Sequence, residues 1–126
     1  MRTKKVNIEN AAKAQITEVF DPHIVADVNE SQVKVAYFGA EFDWHSHPNE
    51  DEAFFVVSGR IAIDFRDGPV EMGAGDFLLV SKGVEHRPRA LSDRPLVMMF
   101  EPASTLNTGD RASNLTVARP KRLSAG

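Results

Sequence analysis

His45-Ser46-His47 places two imidazoles two residues apart, and Glu52 follows five residues after the second. In an extended segment, side chains at i and i+2 leave the chain on the same face. His45 and His47 are therefore predicted to enter one cavity, with Ser46 turned away. Pro48-Asn49 predicts a bend. Glu52 then opens the run Ala53-Phe54-Phe55-Val56-Val57, which has the β-branched and aromatic content of a returning strand. Two neutral imidazoles and a carboxylate converging from adjacent strands make a mixed nitrogen and oxygen donor set for a divalent metal. The chain has no cysteine, so disulfides and thiolate sites are excluded and any transition-metal site falls to histidine and carboxylate.

A third imidazole, His86, closes the stretch Gly75-Asp76-Phe77-Leu78-Leu79-Val80-Ser81-Lys82-Gly83-Val84-Glu85-His86. Here the sequence resembles the cupin superfamily. Gly39, His45, His47, Glu52 and Gly59 match every fixed position of its first motif, G-x5-H-x-H-x4-E-x6-G. Gly75, Gly83 and His86 match its second motif, which usually has proline where Ser81 stands and asparagine where Ala90 stands. Those departures touch turn rigidity and a strand edge, away from the metal-binding position. The resemblance spans roughly residues 30–102. It implies an all-β fold, a double-stranded β-helix or jelly-roll-like barrel, with a metal held by His45, His47, Glu52 and His86. Such a set occupies four positions of an octahedral ion and leaves two for water, dioxygen or a bidentate substrate. It suits manganese, iron, nickel, zinc, cobalt or copper. Binding requires neutral imidazoles, so occupancy should fall in acid.

The 126 residues allow one domain with a single core. No apolar run is long enough to cross a bilayer, and Met1-Arg2-Thr3-Lys4-Lys5 is not followed by the apolar stretch of a signal peptide. The absence of cysteine makes a cytoplasmic setting the natural expectation. Basic residues concentrate at the ends: Arg2, Lys4 and Lys5 near the start, and Arg111, Arg119, Lys121 and Arg122 near the finish. The body between carries all eighteen acids against eight bases. An acidic body argues against a nucleic-acid groove. The basic tails are expected to lie across an acidic barrel surface, their own or a partner's.

Three segments must position the motif: residues 1–29 as helix and first strand, 30–102 as the barrel, and 103–126 as an extension. Asn7 to Thr17 predicts a short helix, capped by Asn7 and carrying Ile8, Ala12 and Ile16 on one face. His23–Val28 and Gln32–Phe42 predict strands around an Asn29-Glu30-Ser31 turn. In the second of these, Lys34, Ala36 and Phe38 share one face, and Val33, Val35 and Tyr37 the other. Arg60 to Arg66 alternates with Ile61, Ile63 and Phe65 inward and Arg60, Asp64 and Arg66 outward. Asp67-Gly68 is a hairpin signal answered by Val70-Glu71-Met72. Three further short strands are predicted at 77–80, 84–88 and 95–101, and Leu115-Thr116-Val117-Ala118 reads as a final edge strand. This spacing of short strands fits a sandwich or barrel.

Around the motif, Asp43, Glu50 and Asp51 read as a solvated bend, with an outer-shell role toward the imidazoles as the alternative. Trp44 reads as packing and His23 as a satisfied core residue. Phe54 and Val56 share parity with Glu52 and should line the cavity. Phe55 and Val57 then face outward and need cover from the N-terminal segment or a second subunit. Similar small cupins are commonly dimers, so a homodimer is expected. No general acid or base is identifiable. The functional reading is a divalent-metal protein that binds or acts on a small polar organic molecule at the metal. The alternatives are a metal-dependent dioxygenase and a non-catalytic small-ligand sensor. Neither nucleic acid nor membrane is an expected partner.

Overall fold

A computed structural model describes residues 4–124 of the chain, and Arg2 of the basic N-terminal run lies outside them. The helix α1 (Ile8–Gln15) begins where Asn7 Oδ1 accepts a hydrogen bond from the Asn10 N–H at 3.0 Å. Glu9 stands in its first turn and Lys13 in its last, each complementing the helix dipole. The remaining elements are strands: β1 (His23–Val28), β2 (Ser31–Tyr37), β3 (Glu52–Ser58), β4 (Arg60–Phe65), β5 (Gly68–Gly73), β6 (Phe77–Val80), β7 (His86–Ala90), β8 (Leu96–Pro102) and β9 (Lys121–Arg122). They form a six-stranded sheet ordered β6-β3-β8-β2-β1-β9 and a three-stranded sheet ordered β5-β4-β7. This is an all-β fold of the double-stranded β-helix kind with one short helix.

The core lies between the sheets and includes Ala36, Phe38, Phe54, Val56, Ile61, Ile63, Val97 and Met99. The alternation that puts Phe54 and Val56 beside Glu52 thus points into this layer. A second apolar cluster lies on the outer face of the large sheet, where Ala11, Ala12 and Ile16 pack on Val35, Leu96 and Leu123. Val57 joins that cluster, so the N-terminal segment covers one of the two outward apolar residues of β3.

β2 is shorter than the sequence predicts, ending at Tyr37 rather than Phe42. The chain changes sheets there. The Phe38 N–H donates to the Pro95 carbonyl of the large sheet. Next, the Ala90 N–H donates to the Gly39 carbonyl and the Phe42 N–H to the Pro88 carbonyl, so residues 39–42 border β7 in the small sheet. At the β3–β4 junction Gly59 adopts φ +81°, and a Cβ there would lie 2.8 Å from the Pro95 Cβ. Only glycine fits that backbone in that space. The β4–β5 hairpin turns on Arg66-Asp67, one residue before the predicted pair, because Gly68 already pairs with Phe65.

Two further expectations change. Ala62 and Asp64 on the outward side of β4 are buried, because Arg87 and Arg89 of β7 fold over Asp64, at 3.0 and 2.8 Å. The C-terminal edge strand is Lys121–Arg122, paired in parallel with β1 at His23 and Ile24, and not residues 115–118. Those residues are held by a side chain: Asn107 donates to the Leu115 carbonyl and accepts from the Val117 N–H. Arg122 meets Asp27 at 3.0 Å, so this part of the basic tail lies on the chain's own surface.

Candidate metal centre

His45 and His47 sit in an irregular segment rather than a strand, and a single β-bridge fixes it. The His45 N–H donates to the His86 carbonyl at 3.0 Å and the His86 N–H returns a bond to the His45 carbonyl at 2.9 Å. That pairing helps to keep both imidazoles of the first motif on the cavity side. Pro48 and Asn49 form the expected bend, and Glu52 is the first residue of β3. The loop before β7 is tied to the same place, since the Gly83 N–H donates to the His47 carbonyl at 2.8 Å.

The four side chains His45, His47, Glu52 and His86 meet. Each offers one donor atom, and all four atoms lie within 4.8 Å of one another. Every one of the four residues is buried, with relative exposures of 0–4%. The Nε2 atoms of His47 and His86 stand 3.2 and 3.5 Å from Glu52 Oε1. Backbone carbonyls select the tautomers. His45 Nδ1–H donates to the Asp43 carbonyl at 2.8 Å, and His86 Nδ1–H to the Val84 carbonyl at 2.9 Å. Both rings therefore present an Nε2 lone pair to the centre. Both ring nitrogens of His47 and Nε2 of His86 are buried without a hydrogen-bond partner among the described residues.

Burial pushes the His45 imidazole down to about 4, with the His86 ring adding to the effect, so His45 is neutral at pH 7. For Glu52, burial opposes ionisation, but the adjoining Glu101 carboxyl leads the effects that overcome it and hold the carboxyl well below its usual range. A neutral His45 imidazole and an ionised Glu52 carboxylate are the protonation states that a divalent cation requires of them. Buried polar atoms without partners are expensive unless something completes them. The donor set, its protonation and its unpartnered nitrogens fit a divalent transition metal.

Sequence reasoning missed two residues beside this centre. Glu101 of β8 is buried with its carboxyl next to Glu52, and Lys34 Nζ of β2 reaches Glu101 Oε1 at 3.0 Å. Lys34 also donates to the Thr105 carbonyl at 3.4 Å. The acids around the motif act as fasteners. Asp51 accepts from the Lys82 N–H, Glu50 from Ser104, and the Asp43 side chain from Ser113. The outer-shell role toward His45 belongs to the Asp43 backbone carbonyl. Trp44 packs outside the cavity, half-buried, with the Arg66 guanidinium 3.8 Å from its ring centroid and Arg87 at 5.2 Å. His23 is a buried residue whose Nδ1–H donates to the Asp21 carbonyl at 3.0 Å.

Comparison with known proteins agrees with this geometry. The chain is 43% identical over 67 residues to the uncharacterized protein YdbB of Bacillus subtilis, covering 52% of this chain and 59% of that one. It thus spans less than two thirds of the length of the curated relatives it matches. A crystal structure of a cupin-2 domain containing protein from Shewanella frigidimarina superposes with a TM-score of 0.73 at 33% identity, covering 77% of this chain and 93% of that one. Protein NMB1881 from Neisseria meningitidis superposes with a TM-score of 0.70 at 28% identity, covering 79% of this chain and all of the other. The family model for the cupin domain matches residues 33–100, more than half of the sequence, and the chain belongs to the cupin family.

Proposed function

We propose that this cupin binds a divalent transition metal through His45, His47, Glu52 and His86, and binds a small organic molecule at the positions they leave open. The observation that carries the proposal is the set of buried imidazole nitrogens without partners, gathered with Glu52 inside one 4.8 Å cluster. A bound ion would supply Lewis acidity toward an oxygen of that molecule. The chain's own residues prepare the site. The Asp43 and Val84 carbonyls aim the rings of His45 and His86, respectively, through their Nδ1 protons. Burial of all four side chains removes competing water. Manganese, iron, nickel, zinc, cobalt and copper all suit such ligands. A cytoplasmic setting belongs to the same proposal.

Elemental analysis of untagged protein, followed by titration calorimetry with manganese, nickel and zinc, tests this reading. One ion per chain is expected, and His86→Ala should weaken binding more than about 100-fold, beyond the loss typical of an outer-shell partner. Failure of the native protein to take up any of these ions would remove the reading.

The homodimer is also part of the proposal. Its support is the half of the large sheet's outer face that α1 leaves uncovered. There Phe77, Leu79 and Phe100 are 65%, 52% and 43% exposed, around the half-buried Phe55. A second copy laid face to face would cover this patch. Sedimentation at micromolar concentration should show a dimer, and a monomer there would count against it.

A further inference from the structure

Beside the candidate metal centre, between the two sheets, lies a cavity that opens to solvent. Its walls are aromatic. Phe20 packs on Phe42 and Phe38 with ring centroids 4.9 and 5.5 Å apart, and Phe38 on Phe54 at 6.4 Å. Met99 completes the apolar lining. The polar atoms are few. His45 and Glu52 face the cavity from the metal side, and Glu101 stands next to Glu52. Asn107 also lines it, but its amide is spent on Leu115 and Val117. Among the described residues no arginine or lysine lines the cavity, and Lys34, behind Glu101, is already engaged by that carboxylate and by the Thr105 carbonyl.

One atom in this arrangement asks for a partner. Glu101 Oε1 accepts from Lys34, whereas Glu101 Oε2 is buried, receives no N–H or O–H in the hydrogen bonds of the described residues and has only the Glu52 carboxyl beside it. A polar atom in that position gains most from a ligand group that reaches it after the surrounding surface has been desolvated. A phosphate or carboxylate extending past the metal side to Glu101 would meet a second acid with no free cation from the described residues, which is unfavourable at such burial. A sugar would bring several hydroxyls against phenylalanine rings and leave most of them unpaired. A hydroxyl on a flat apolar ring meets both demands, because it can donate or accept and so suits either protonation state of a carboxyl. The ring would find edge and face contacts among the phenylalanines.

We infer that the cavity takes a neutral, single-ring aromatic molecule carrying a hydroxyl, with the ring among Phe20, Phe38, Phe42 and Phe54 and the hydroxyl between Glu101 and the metal side of the cavity. The inference rests on the proposed function for the meaning of that metal side, and it replaces a polar organic molecule with one that is mainly apolar.

Phenol is the probe. Full-length protein carrying 13C-methyl methionine is titrated with phenol, toluene and glucose 6-phosphate, both metal-free and after addition of zinc. The Met99 signal is assigned from the Met99→Leu variant. The methyl of Met99 should shift through the ring current of phenol, while that of Met72, buried outside the cavity lining, should hold still. Toluene should bind at least tenfold more weakly than phenol. A purely apolar pocket would reverse that order, since toluene gains more by leaving water. Glucose 6-phosphate should leave Met99 unmoved. The inference is overturned if phenol does not move Met99, if toluene binds as well as phenol, or if glucose 6-phosphate is the ligand that shifts it. Zinc uptake is measured on the same samples by elemental analysis. A Met99 response in protein that takes up no metal would overturn the metal reading and leave the cavity inference standing, and the converse result would do the opposite.

Discussion

Two polar clusters lie buried under the same sheet, and they are built on opposite plans. The cluster of His45, His47, Glu52 and His86 gathers three bases around one acid and leaves imidazole nitrogens unpartnered. The Lys34–Glu101 pair balances charge within itself, with a 3.0 Å contact and a backbone carbonyl shared by the ammonium. The first is an open arrangement, with no partner for those nitrogens among the described residues. The second is a closed one, complete apart from Glu101 Oε2. They touch where the carboxyls of Glu52 and Glu101 stand side by side. The contrast shows that burial of charge in this core serves two ends, and that breaking each cluster should leave a different signature.

The closed pair should give the largest effect on stability. Glu101→Ala strands Lys34, which is 3% exposed, and should destabilise the protein by about 3–5 kcal/mol in urea unfolding, the usual result of removing one partner of a buried ion pair. The double variant Lys34→Met, Glu101→Leu removes both charges and should recover most of that loss, because shape-matched apolar residues replace a buried pair at little cost. If the double variant were as unstable as the single one, charge balance would not be what holds this region, and the contrast between the clusters would fail.

Acid should act through the open cluster. Burial lowers the His45 imidazole to about 4 in the folded chain, against about 6.5 when unfolded. Between those values the unfolded chain binds the proton and the folded chain does not. Stability therefore falls as pH drops through that window, by about 3 kcal/mol from His45 alone. Glu52, held low, adds a loss in the same direction below its unfolded value. Glu101 is pulled both ways, up by burial and the neighbouring Glu52 and down by the Lys34 ammonium. Urea unfolding of metal-free protein between pH 7 and pH 4 should show the decline, and His45→Gln should flatten its upper part. A profile unchanged by His45→Gln would mean that the ring is hydrated rather than desolvated.

These clusters also differ in how far the chain's letters betray them. The first motif is local: His45, His47 and Glu52 lie within eight residues, and their spacing is enough to predict that they share one side. The pair is not local. Lys34 shares its face with Ala36 and Phe38, both buried, and Glu101 alternates with Val97 and Met99 in the same way. Each is a charge at an inward position, a readable signal taken alone. What joins them is the β2–β8 register, Gln32 opposite Glu101 and Lys34 opposite Met99, set by pairing across more than sixty residues. The same limit explains the other differences. The end of β2 depends on where the chain crosses to the small sheet, and the burial of Asp64 on arginines from β7. Residues 115–118 have strand-like letters but are captured by Asn107 instead. Local pattern carried the helix, most strands and the three donors of the first motif, the resemblance to the second cupin motif added His86, and long-range register decided the rest.

The smallest effect concerns the open cluster alone. Ser46, between the two histidines of the first motif, is gripped by the C-terminal extension. Its N–H donates to Asp110 Oδ1 and its carbonyl accepts from the Asp110 N–H, both at 2.9 Å. Gly109 makes this approach possible. It adopts φ +59°, and a Cβ there would stand 2.2 Å from the Ser46 carbonyl oxygen, a clash with backbone that cannot swing aside. Asp110→Ala keeps the backbone bond and removes the carboxylate, so the histidine segment should be loosened rather than released. Metal affinity by calorimetry should fall about tenfold, at the low end of the range for outer-shell partners, while the urea midpoint barely moves. Gly109→Ala should weaken metal binding more than Asp110→Ala, since it displaces Ser46 and with it both neighbouring rings. The Lys34–Glu101 pair, which makes no contact with Asp110 among the described hydrogen bonds and ion pairs, predicts no such ordering. Equal metal affinity in the two variants and the native chain would show that the histidine segment keeps its shape unaided.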